Sequence, residues 1–367
     1  MLREVMLRTR SVLLLLFMFA LVACGGGSQS PESGSGEAQS SERQESGGAA
    51  EQAEKTTAKG AGQDTTTARK ETTGPEEGTG VEKAKSGSKN NRKSGPVASD
   101  ALAAGASDAT GGPLARGRMV SYYGHPLSGA MGVLGQLEPE VMVRELKEQT
   151  EAYTKADPDR PAIPTIELIA SVAQPTPGPD GLYLAPTEDF WIEKYAKLAE
   201  ENDCLLLLDI QIGYSTIADE VERLMPYLER DYVHLAIDTE YDMIPPDIPA
   251  QQIGSSPGAD IMAAARTLSR LVEEKDLPPK VLVIHQFESG MIQNKEMLRP
   301  VPNVEMVLHA DGFGTPQQKF EKYDLLVRDE PIQYDGFKLF FDQDTPLLTP
   351  KQVLNRLEPK PAVISYQ

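Results

Sequence analysis

The stretch CLLLLDIQ, residues Cys204–Gln211, has the pattern that decides the fold: a short apolar run that ends in polar residues. A run that is apolar at consecutive positions is typical of a parallel strand covered on both faces. From residue 119 onward the chain repeats this texture, and we predict eight strands: Met119–Gly124, Ile163–Val172, Cys204–Gln211, Val233–Glu240, Val281–Phe287, Val304–Asp311, Phe337–Asp342 and Ala362–Tyr366.

Helix signals separate these strands. Ser256-Pro257, Thr315-Pro316 and Thr349-Pro350 each place a capping hydroxyl before a proline suited to the first helical position. Strands that alternate with helices pair in parallel, and eight of them in about 250 residues favour a closed (β/α)8 barrel of the TIM type. An open doubly wound sheet is the alternative, but the glycine-rich motif of its nucleotide-binding versions is missing after the first strand.

The N-terminus has the features of an export signal. Three arginines precede the apolar run Val12–Leu21, which is too short to span a membrane comfortably. The run ends in Leu21-Val22-Ala23-Cys24-Gly25, which resembles the bacterial lipobox. This resemblance implies that residues 1–23 are a signal peptide and that Cys24 becomes the diacylated first residue of the mature protein. An ordinary signal peptide with an incidental cysteine is the alternative.

Residues 24–115 are dominated by Gly, Ser, Glu, Thr, Ala and Lys and contain no Phe, Tyr or Trp. Such a stretch cannot bury enough apolar area to offset its conformational entropy, so we predict a disordered linker. Residues 116–367 then form the barrel domain, held at the extracytoplasmic face of the cell membrane. Cys204 is the other cysteine of the chain, and we expect a buried, inert thiol there.

The net charge of −19 is concentrated in the barrel domain. The first 24 residues carry +2, residues 25–115 carry −3 and residues 116–367 carry −18. This negative field disfavours nucleic acid and other anionic polymers as partners, and we predict no nucleic-acid partner. The chain has no phosphate-binding loop, no Gly-x-Ser-x-Gly elbow and no zinc-spaced cysteine pair, so we predict no cofactor and no metal. The oligomeric state stays open, with a monomer favoured.

Polar residues gather where the predicted strands end. Residues at i and i+2 of a strand share one side, and barrel active sites lie at the carboxyl ends of the strands. We therefore predict a site built from carboxylates and histidines with tyrosines around them. The candidates are Asp209, Gln211, Asp238, Glu240, His285 (or Gln286, depending on register), His309, Asp311, Asp342, Tyr122, Tyr123, His125, Tyr214, Tyr241 and Tyr366.

The segment Ile237-Asp238-Thr239-Glu240-Tyr241 resembles the strand-four motif of family 18 chitinase-type glycoside hydrolases. The resemblance implies that Glu240 is the general acid and that Asp238 orients the acetamido group of the substrate. The family has two further aspartates upstream, where this chain has Val233 and Ala236. More broadly, the domain resembles actinobacterial surface lipoproteins that carry hydrolase-like barrels.

Three functions remain open. The first is a glycoside hydrolase acting on a wall or environmental polysaccharide, in which Asp238 and Asp209 tune the Glu240 acid and Asp311 or Asp342 is the opposing carboxylate. The second is a non-catalytic glycan- or solute-binding lipoprotein, which the missing aspartates and the single tryptophan favour. The third is a metal-dependent hydrolase, whose ligands would come from His125, His285, His309 and Asp311.

Overall fold

The computed structural model describes residues 110–328, 330 and 332–367. The predicted signal peptide, Cys24 and the linker as far as residue 109 lie outside the described residues, and those expectations stay predictions. Within the described ranges, no helix combines the length and the apolar character needed to cross a membrane.

Eight parallel strands close into a barrel, which confirms the predicted (β/α)8 fold. Each strand pairs with the next in the chain, and the last pairs with the first, with Met119 opposite Val363. The strands are β1 Arg118–Gly124, β2 Ala162–Ala173, β3 Leu205–Ile210, β4 Val233–Asp238, β5 Lys280–Gln286, β6 Val304–Ala310, β7 Tyr334–Leu339 and β8 Val363–Tyr366. Three short strands lie in the loops: Leu184–Pro186, Ser256–Pro257 and Ile292–Gln293.

Seven α-helices occupy the described connections. They are α1 Val133–Gln136, α2 Pro139–Ala156, α3 Asp189–Glu201, α4 Ile217–Leu228, α5 Gly258–Lys275, α6 Pro316–Leu326 and α7 Pro350–Arg356. Thr315 and Thr349 cap α6 and α7 as predicted, each in a capping box. Ser256 does not cap α5, because Ser256–Pro257 forms a short strand and Pro257 takes the capping position.

Strand β7 differs most from its prediction. It begins at Tyr334 and ends at Leu339, three residues before the predicted Phe337–Asp342, whereas the other strand bounds agree within two residues. Tyr334 is fully buried and pairs with Val307 of β6. The neighbouring Asp335 is also buried, where it accepts a hydrogen bond from the Tyr323 hydroxyl at 3.4 Å. A polar residue followed by glycine resembles a turn, but here both are part of the strand.

Two apolar cores explain the continuous apolar runs. One lies between strands and helices and includes Leu206 and Leu208, whereas Leu207 belongs to the second core inside the barrel. Leu114 is fully buried in that inner core, at the end where the strands begin. The backbone N–H groups of Leu114 and Ala115 donate to the Glu305 carboxylate at 2.8 and 3.1 Å. Packing therefore starts before residue 116, the predicted first residue of the domain.

Toward the carboxyl ends of the strands, the barrel interior changes from apolar to polar. Leu207, Val283 and Val307 belong to the inner apolar core. Two residues further along the same strands, and thus on the same side, come Asp209, His285 and His309, all buried. Strand alternation therefore places a layer of polar side chains at the carboxyl ends of the strands, which we call the mouth of the barrel.

Candidate functional site

Every strand of the barrel contributes one buried polar side chain to this layer. In strand order, the eight residues are Ser121, Glu167, Asp209, Asp238, His285, His309, Lys338 and Ser365. Buried ionisable groups are costly unless they are paired or hydrogen-bonded. The partners of each group therefore decide which of them carry charge.

One side of the layer is a chain of close polar contacts centred on Asp311, which directly follows β6. Nδ1 of His285 lies 3.1 Å from each Asp311 oxygen, and Nδ1 of His309 lies 2.6 Å from Oδ1. Nζ of Lys338 lies 3.2 Å from Oδ2 of Asp311. The last contact in this series joins Ser365 Oγ to His309 Nε2 at 2.9 Å. We call His285, His309, Asp311 and Lys338 the paired half of the mouth.

Glu167 extends the paired half across the barrel. Its Oε2 accepts a hydrogen bond from Ser121 Oγ at 2.6 Å, and its Oε1 lies 3.1 Å from His285 Nε2. The contact with His285 is an ion pair by distance, although its angles fall outside hydrogen-bond geometry. Burial by itself raises the pKa of Glu167, but His285, His309 and Lys338 outweigh burial and lower it.

The charges of the paired half support one another. Burial raises the pKa of Asp311, but Lys338, His285 and His309 hold it well below its usual value. Burial lowers the pKa of His285, but Asp311 and Glu167 raise it well above its usual value. Burial dominates at His309 and lowers its pKa. At neutral pH, this half therefore holds an ionised Asp311 between a charged His285 and a charged Lys338.

The other side of the mouth consists of carboxyl groups from β3, β4 and the turn after β4. We call Asp209, Asp238 and Glu240 the acidic half. Oδ2 of Asp209 accepts a hydrogen bond from the Tyr123 hydroxyl at 3.2 Å, and Oδ1 of Asp238 accepts one from the backbone N–H of Glu240 at 3.2 Å. None of the three forms an ion pair with another described residue, although Lys338 acts on all three at longer range.

These three carboxyl groups hold protons more tightly than usual. Burial, reinforced by Asp238 and Glu167, raises the pKa of Asp209 to about 7. Burial also raises the pKa of Asp238. Burial, Asp238 and Asp311 together raise the pKa of Glu240 to about 8, although Lys338 opposes the shift. At pH 7 Glu240 therefore keeps its proton and can donate it, whereas Asp209 is only partly protonated.

Tyr123 lies between the two halves. Its hydroxyl bonds to Asp209, and Lys338 Nζ lies 3.7 Å from the centre of its ring, a close cation–π contact. Burial and the nearby carboxylates raise its pKa well above 10, so the hydroxyl stays protonated. The inward side chain of β1 thus separates the cation of one half from the carboxyl groups of the other.

The structure brings together most of the predicted acids and histidines, with one difference in local structure. Strand β4 ends at Asp238, whereas Glu240 lies on the short 3-10 turn Thr239–Tyr241 and is partly exposed. Tyr241, on the same turn, is also partly exposed. On β5 the inward residue is His285, since Gln286 faces outward and its amide bonds to the Leu326 carbonyl.

Several other predicted residues make contacts between the loops at the mouth. Oε1 of Gln211 accepts a hydrogen bond from the Ala173 N–H at 2.8 Å. Nε2 of His125 lies 3.2 Å from Thr187 Oγ1. The Tyr214 hydroxyl donates to the Asp247 carbonyl at 2.9 Å, and its ring lies 4.7 Å from that of Tyr183. These contacts join the loops after β1, β2, β3 and β4.

Three predicted residues lie away from the cluster. Tyr122 and Tyr366 point outward to α2, because strand alternation turns their neighbours Ser121, Tyr123 and Ser365 inward. The Tyr366 hydroxyl lies 2.8 Å from that of Tyr153. Asp342 is exposed in the loop after β7, since that strand ends earlier than predicted and Lys338 is its inward residue.

Glu167, Lys338, Ser121 and Ser365 are the members that were not predicted as site residues. A signal for the two charged ones is present in the sequence, because Ile166-Glu167-Leu168 and Phe337-Lys338-Leu339 each place a charge inside an apolar strand. A charge in such a place needs a buried partner of opposite sign. The two serines carry no comparable signal.

His285, His309 and Asp311 offer potential metal ligands whose atoms all lie within 4.8 Å of one another. The arrangement does not fit a metal ion. Both ring nitrogens of each histidine already lie close to an oxygen partner. The Lys338 ammonium, 3.2 Å from Asp311, would repel a cation bound there.

Comparison with known proteins finds no protein-family model that matches the sequence and no matching curated protein. The TIM-type (β/α)8 barrel and the geometry at its mouth are therefore the basis for assigning a function.

Proposed function

We propose that this barrel hydrolyses glycosidic bonds, with Glu240 as the proton donor and Asp311 as the opposing carboxylate. The proposal rests on the contrast between these two groups, which follow β4 and β6 at the same end of the barrel. Asp311 contacts two histidines and a lysine, whereas Glu240 has no ion pair within the described part of the chain. Asp238 supports Glu240, because its negative charge raises the pKa of the Glu240 carboxyl group.

Glycoside hydrolysis needs one protonated and one ionised carboxyl group. With a pKa of about 8, Glu240 carries the proton that the leaving oxygen takes at neutral pH. Lys338 and the histidines keep Asp311 ionised, and we propose that Asp311 accepts the proton of the attacking water. Both oxygens of Asp311 already have cationic or imidazole partners, which hold the carboxylate in a fixed orientation toward the attacking water.

The test replaces Glu240 by glutamine, which keeps the size of the side chain and removes the proton. Reducing-end release is measured on chitin, peptidoglycan and other glycans. We expect Glu240→Gln to lose about 10²- to 10⁴-fold in rate, the usual contribution of a general acid. Glu222→Gln, on the exposed surface of α4, is the matched control and should keep the wild-type rate. Wild-type turnover by Glu240→Gln would remove Glu240 from this role.

The pH dependence of the same reaction provides a second check. Glu240 must be protonated in the free enzyme, so kcat/KM should fall as the pH rises through about 8. The acidic limb should lie well below pH 4, where Asp311 gains its proton. A basic limb that is unchanged when Asp238 is replaced by asparagine would show that another group supplies the proton.

The burial of the polar layer favours a second candidate function, that of a non-catalytic glycan- or solute-binding protein. Asp209, His285 and Lys338 are 0, 1 and 4 % exposed, so the sugar rings of a polymer would touch mainly Glu240, Tyr241 and the surrounding loops, and only a small substituent of a sugar would approach the buried groups. Oligosaccharide binding in calorimetry with no product after long incubation would identify this function. Turnover on any glycan would exclude it.

We also propose that the protein is a lipoprotein held by Cys24 at the extracytoplasmic face of the membrane. The support is the lipobox-like segment after the apolar run, which lies outside the described residues. Mass spectrometry of the native protein should find a diacylglyceryl group on Cys24. A Cys24→Ser variant that still partitions into the membrane fraction as the wild type does would contradict the anchor.

A further inference from the structure

The two halves of the mouth differ in how their negative charge is compensated. In the paired half, Asp311 lies beside Lys338 and His285. In the acidic half, Asp209, Asp238 and Glu240 have no cation in contact among the residues that the structure describes. Carboxyl groups that lie close together need a proton, a cation or a ligand to lower their mutual repulsion.

A second, independent observation at this place is an oxygen atom without a partner. Oδ1 of Asp209 is buried and accepts no hydrogen bond from any described residue, whereas Oδ2 of the same carboxyl group bonds to Tyr123. Asp209 itself is 0 % exposed and is the inward residue of β3. A buried acceptor left unpaired costs free energy, and a donor from a bound molecule would recover it.

The paired half shows which chemical group this environment suits. There the protein holds its own ammonium group, Lys338 Nζ, between a carboxylate oxygen at 3.2 Å and the face of the Tyr123 ring at 3.7 Å. The acidic half also combines carboxyl groups with tyrosines, because Asp209 bonds to the Tyr123 hydroxyl and Tyr241 directly follows Glu240 on the same turn. What it lacks, among the described side chains, is the ammonium group.

We propose that the acidic half binds an ammonium group of the substrate, so that the preferred glycan carries free amino groups instead of acetamido groups. The sugar part of this inference rests on the proposed function, whereas the ammonium part rests on the acidic half alone. The net charge of −18 on residues 116–367 would also attract such a cationic ligand from a distance.

The proton affinities of the acidic half agree with this assignment. An incoming ammonium group next to Asp209 favours the ionised form of that carboxyl group, whose pKa of about 7 leaves it partly protonated in the free protein. Binding should therefore release protons. Calorimetry at about pH 5.5, where the amino groups of the sugar and the Asp209 carboxyl group are both protonated before binding, measures that release directly in two buffers of different ionisation enthalpy.

The decisive experiment compares three β-1,4-linked tetramers that share a backbone: glucosamine, N-acetylglucosamine and glucose. Each is titrated into the purified wild-type protein by calorimetry in about 0.5 M NaCl, which screens attraction by the surface charge. We expect the glucosamine tetramer to bind about tenfold tighter, or more, than the two neutral tetramers, as hydrogen bonds to charged groups usually allow. Equal affinities would overturn the inference.

Two variants locate the binding site. Asp209→Asn keeps the shape of the side chain and should bring the glucosamine tetramer within about threefold of the glucose tetramer. Glu222→Gln removes one charge from the exposed surface of α4 and should leave the tenfold preference intact. A preference that survives Asp209→Asn would also overturn the inference, because the ammonium group would then bind elsewhere.

Mass spectrometry of the titrated samples separates this inference from the proposed hydrolase function. A preference for glucosamine without cleavage of any tetramer would keep the ammonium site and count against the hydrolase. Cleavage of the neutral tetramers without a preference for glucosamine would do the reverse. Failure of the glucosamine tetramer to bind would overturn the ammonium site, whatever the neutral tetramers do.

Discussion

The paired and acidic halves of the barrel mouth have similar burial but opposite protonation. Asp209 is 0 % exposed and Asp311 keeps only 11 % of its side chain exposed. Yet the pKa of Asp209 rises to about 7, whereas that of Asp311 falls well below its usual value. The difference comes from contact with Lys338 and the histidines, because burial alone raises the pKa of both groups. The placement of cations, and not the depth of burial, divides the mouth into an acid and a base.

Removal of the cation from the paired half should have the largest effect on stability. Lys338→Met leaves Asp311 without its ammonium partner, which typically costs about 3–5 kcal/mol for a buried pair. Lys338 lowers the pKa of both Asp311 and Glu240, so its loss raises the pKa of both groups, and the cost should be largest near pH 8 and shrink toward pH 5. Urea unfolding at the two pH values measures this change.

The control for this variant is Lys197→Met on α3, where the lysine side chain is 73 % exposed and pairs with Glu201. An exposed pair of this kind contributes about 0–1 kcal/mol. If Lys338→Met were no more damaging than Lys197→Met, charge balance would not be what distinguishes the two halves.

Removal of a negative charge from the acidic half should stabilise the protein, in contrast to the loss of Lys338. With a folded-state pKa of about 7 and an ordinary value of 3.8, ionised Asp209 opposes folding increasingly between about pH 4 and pH 7. Asp209→Asn should therefore stabilise the protein by up to about 4 kcal/mol near pH 8 and have little effect below about pH 4. The amide can still accept the hydrogen bond from Tyr123.

Asp311→Asn is the matched substitution in the paired half, and it should destabilise the protein. It removes the carboxylate that His285, His309 and Lys338 share. Chemical denaturation of both asparagine variants under the same conditions tests the comparison. Two substitutions with the same sign at pH 8 would show that the halves do not differ as described.

The smallest effect is expected at the edge of the paired half. Ser365→Ala removes the hydroxyl that lies 2.9 Å from His309 Nε2, which should cost about 1 kcal/mol. Ser269→Ala on α5 is the control, because Ser269 is buried but has no side-chain hydrogen bond to another described residue. Equal losses from the two substitutions, measured by thermal unfolding, would mean that the contact with His309 contributes nothing.

The fold could be predicted because the same local patterns, apolar runs and capping pairs, recur along the sequence. Apolar runs such as Cys204–Gln211 define buried strands, and capping pairs such as Thr315-Pro316 define helix starts. The start of β7 could not be predicted in the same way. Asp335-Gly336 has turn composition, and only the long-range partners of Asp335 make it part of a strand.

The acidic and basic groups at the ends of β3 to β6 could also be predicted, since an apolar run that stops at a polar residue marks the end of a strand. Glu167 and Lys338 were missed because they lie within their strands, where the sequence does not show a partner on another strand. The positions of Tyr122 and Tyr366 depended on the register of β1 and β8. A shift of one residue exchanges inward and outward side chains, so the neighbouring Ser121 and Ser365 lie inside instead.

The packing of Leu114 at the base of the barrel has a practical consequence for handling the protein. Residues 112 to 115 press against Glu305, and a Cβ atom on Gly112 would lie only 2.5 Å from the Glu305 carboxyl carbon. Residues 112 to 115 therefore lie at the end of the barrel opposite the mouth. A recombinant version that starts at residue 116 would lack these contacts and leave the base of the barrel open, whereas one that includes residue 110 would keep them. Immobilised through that end on a bead or sensor surface, the barrel would present its mouth to the solution.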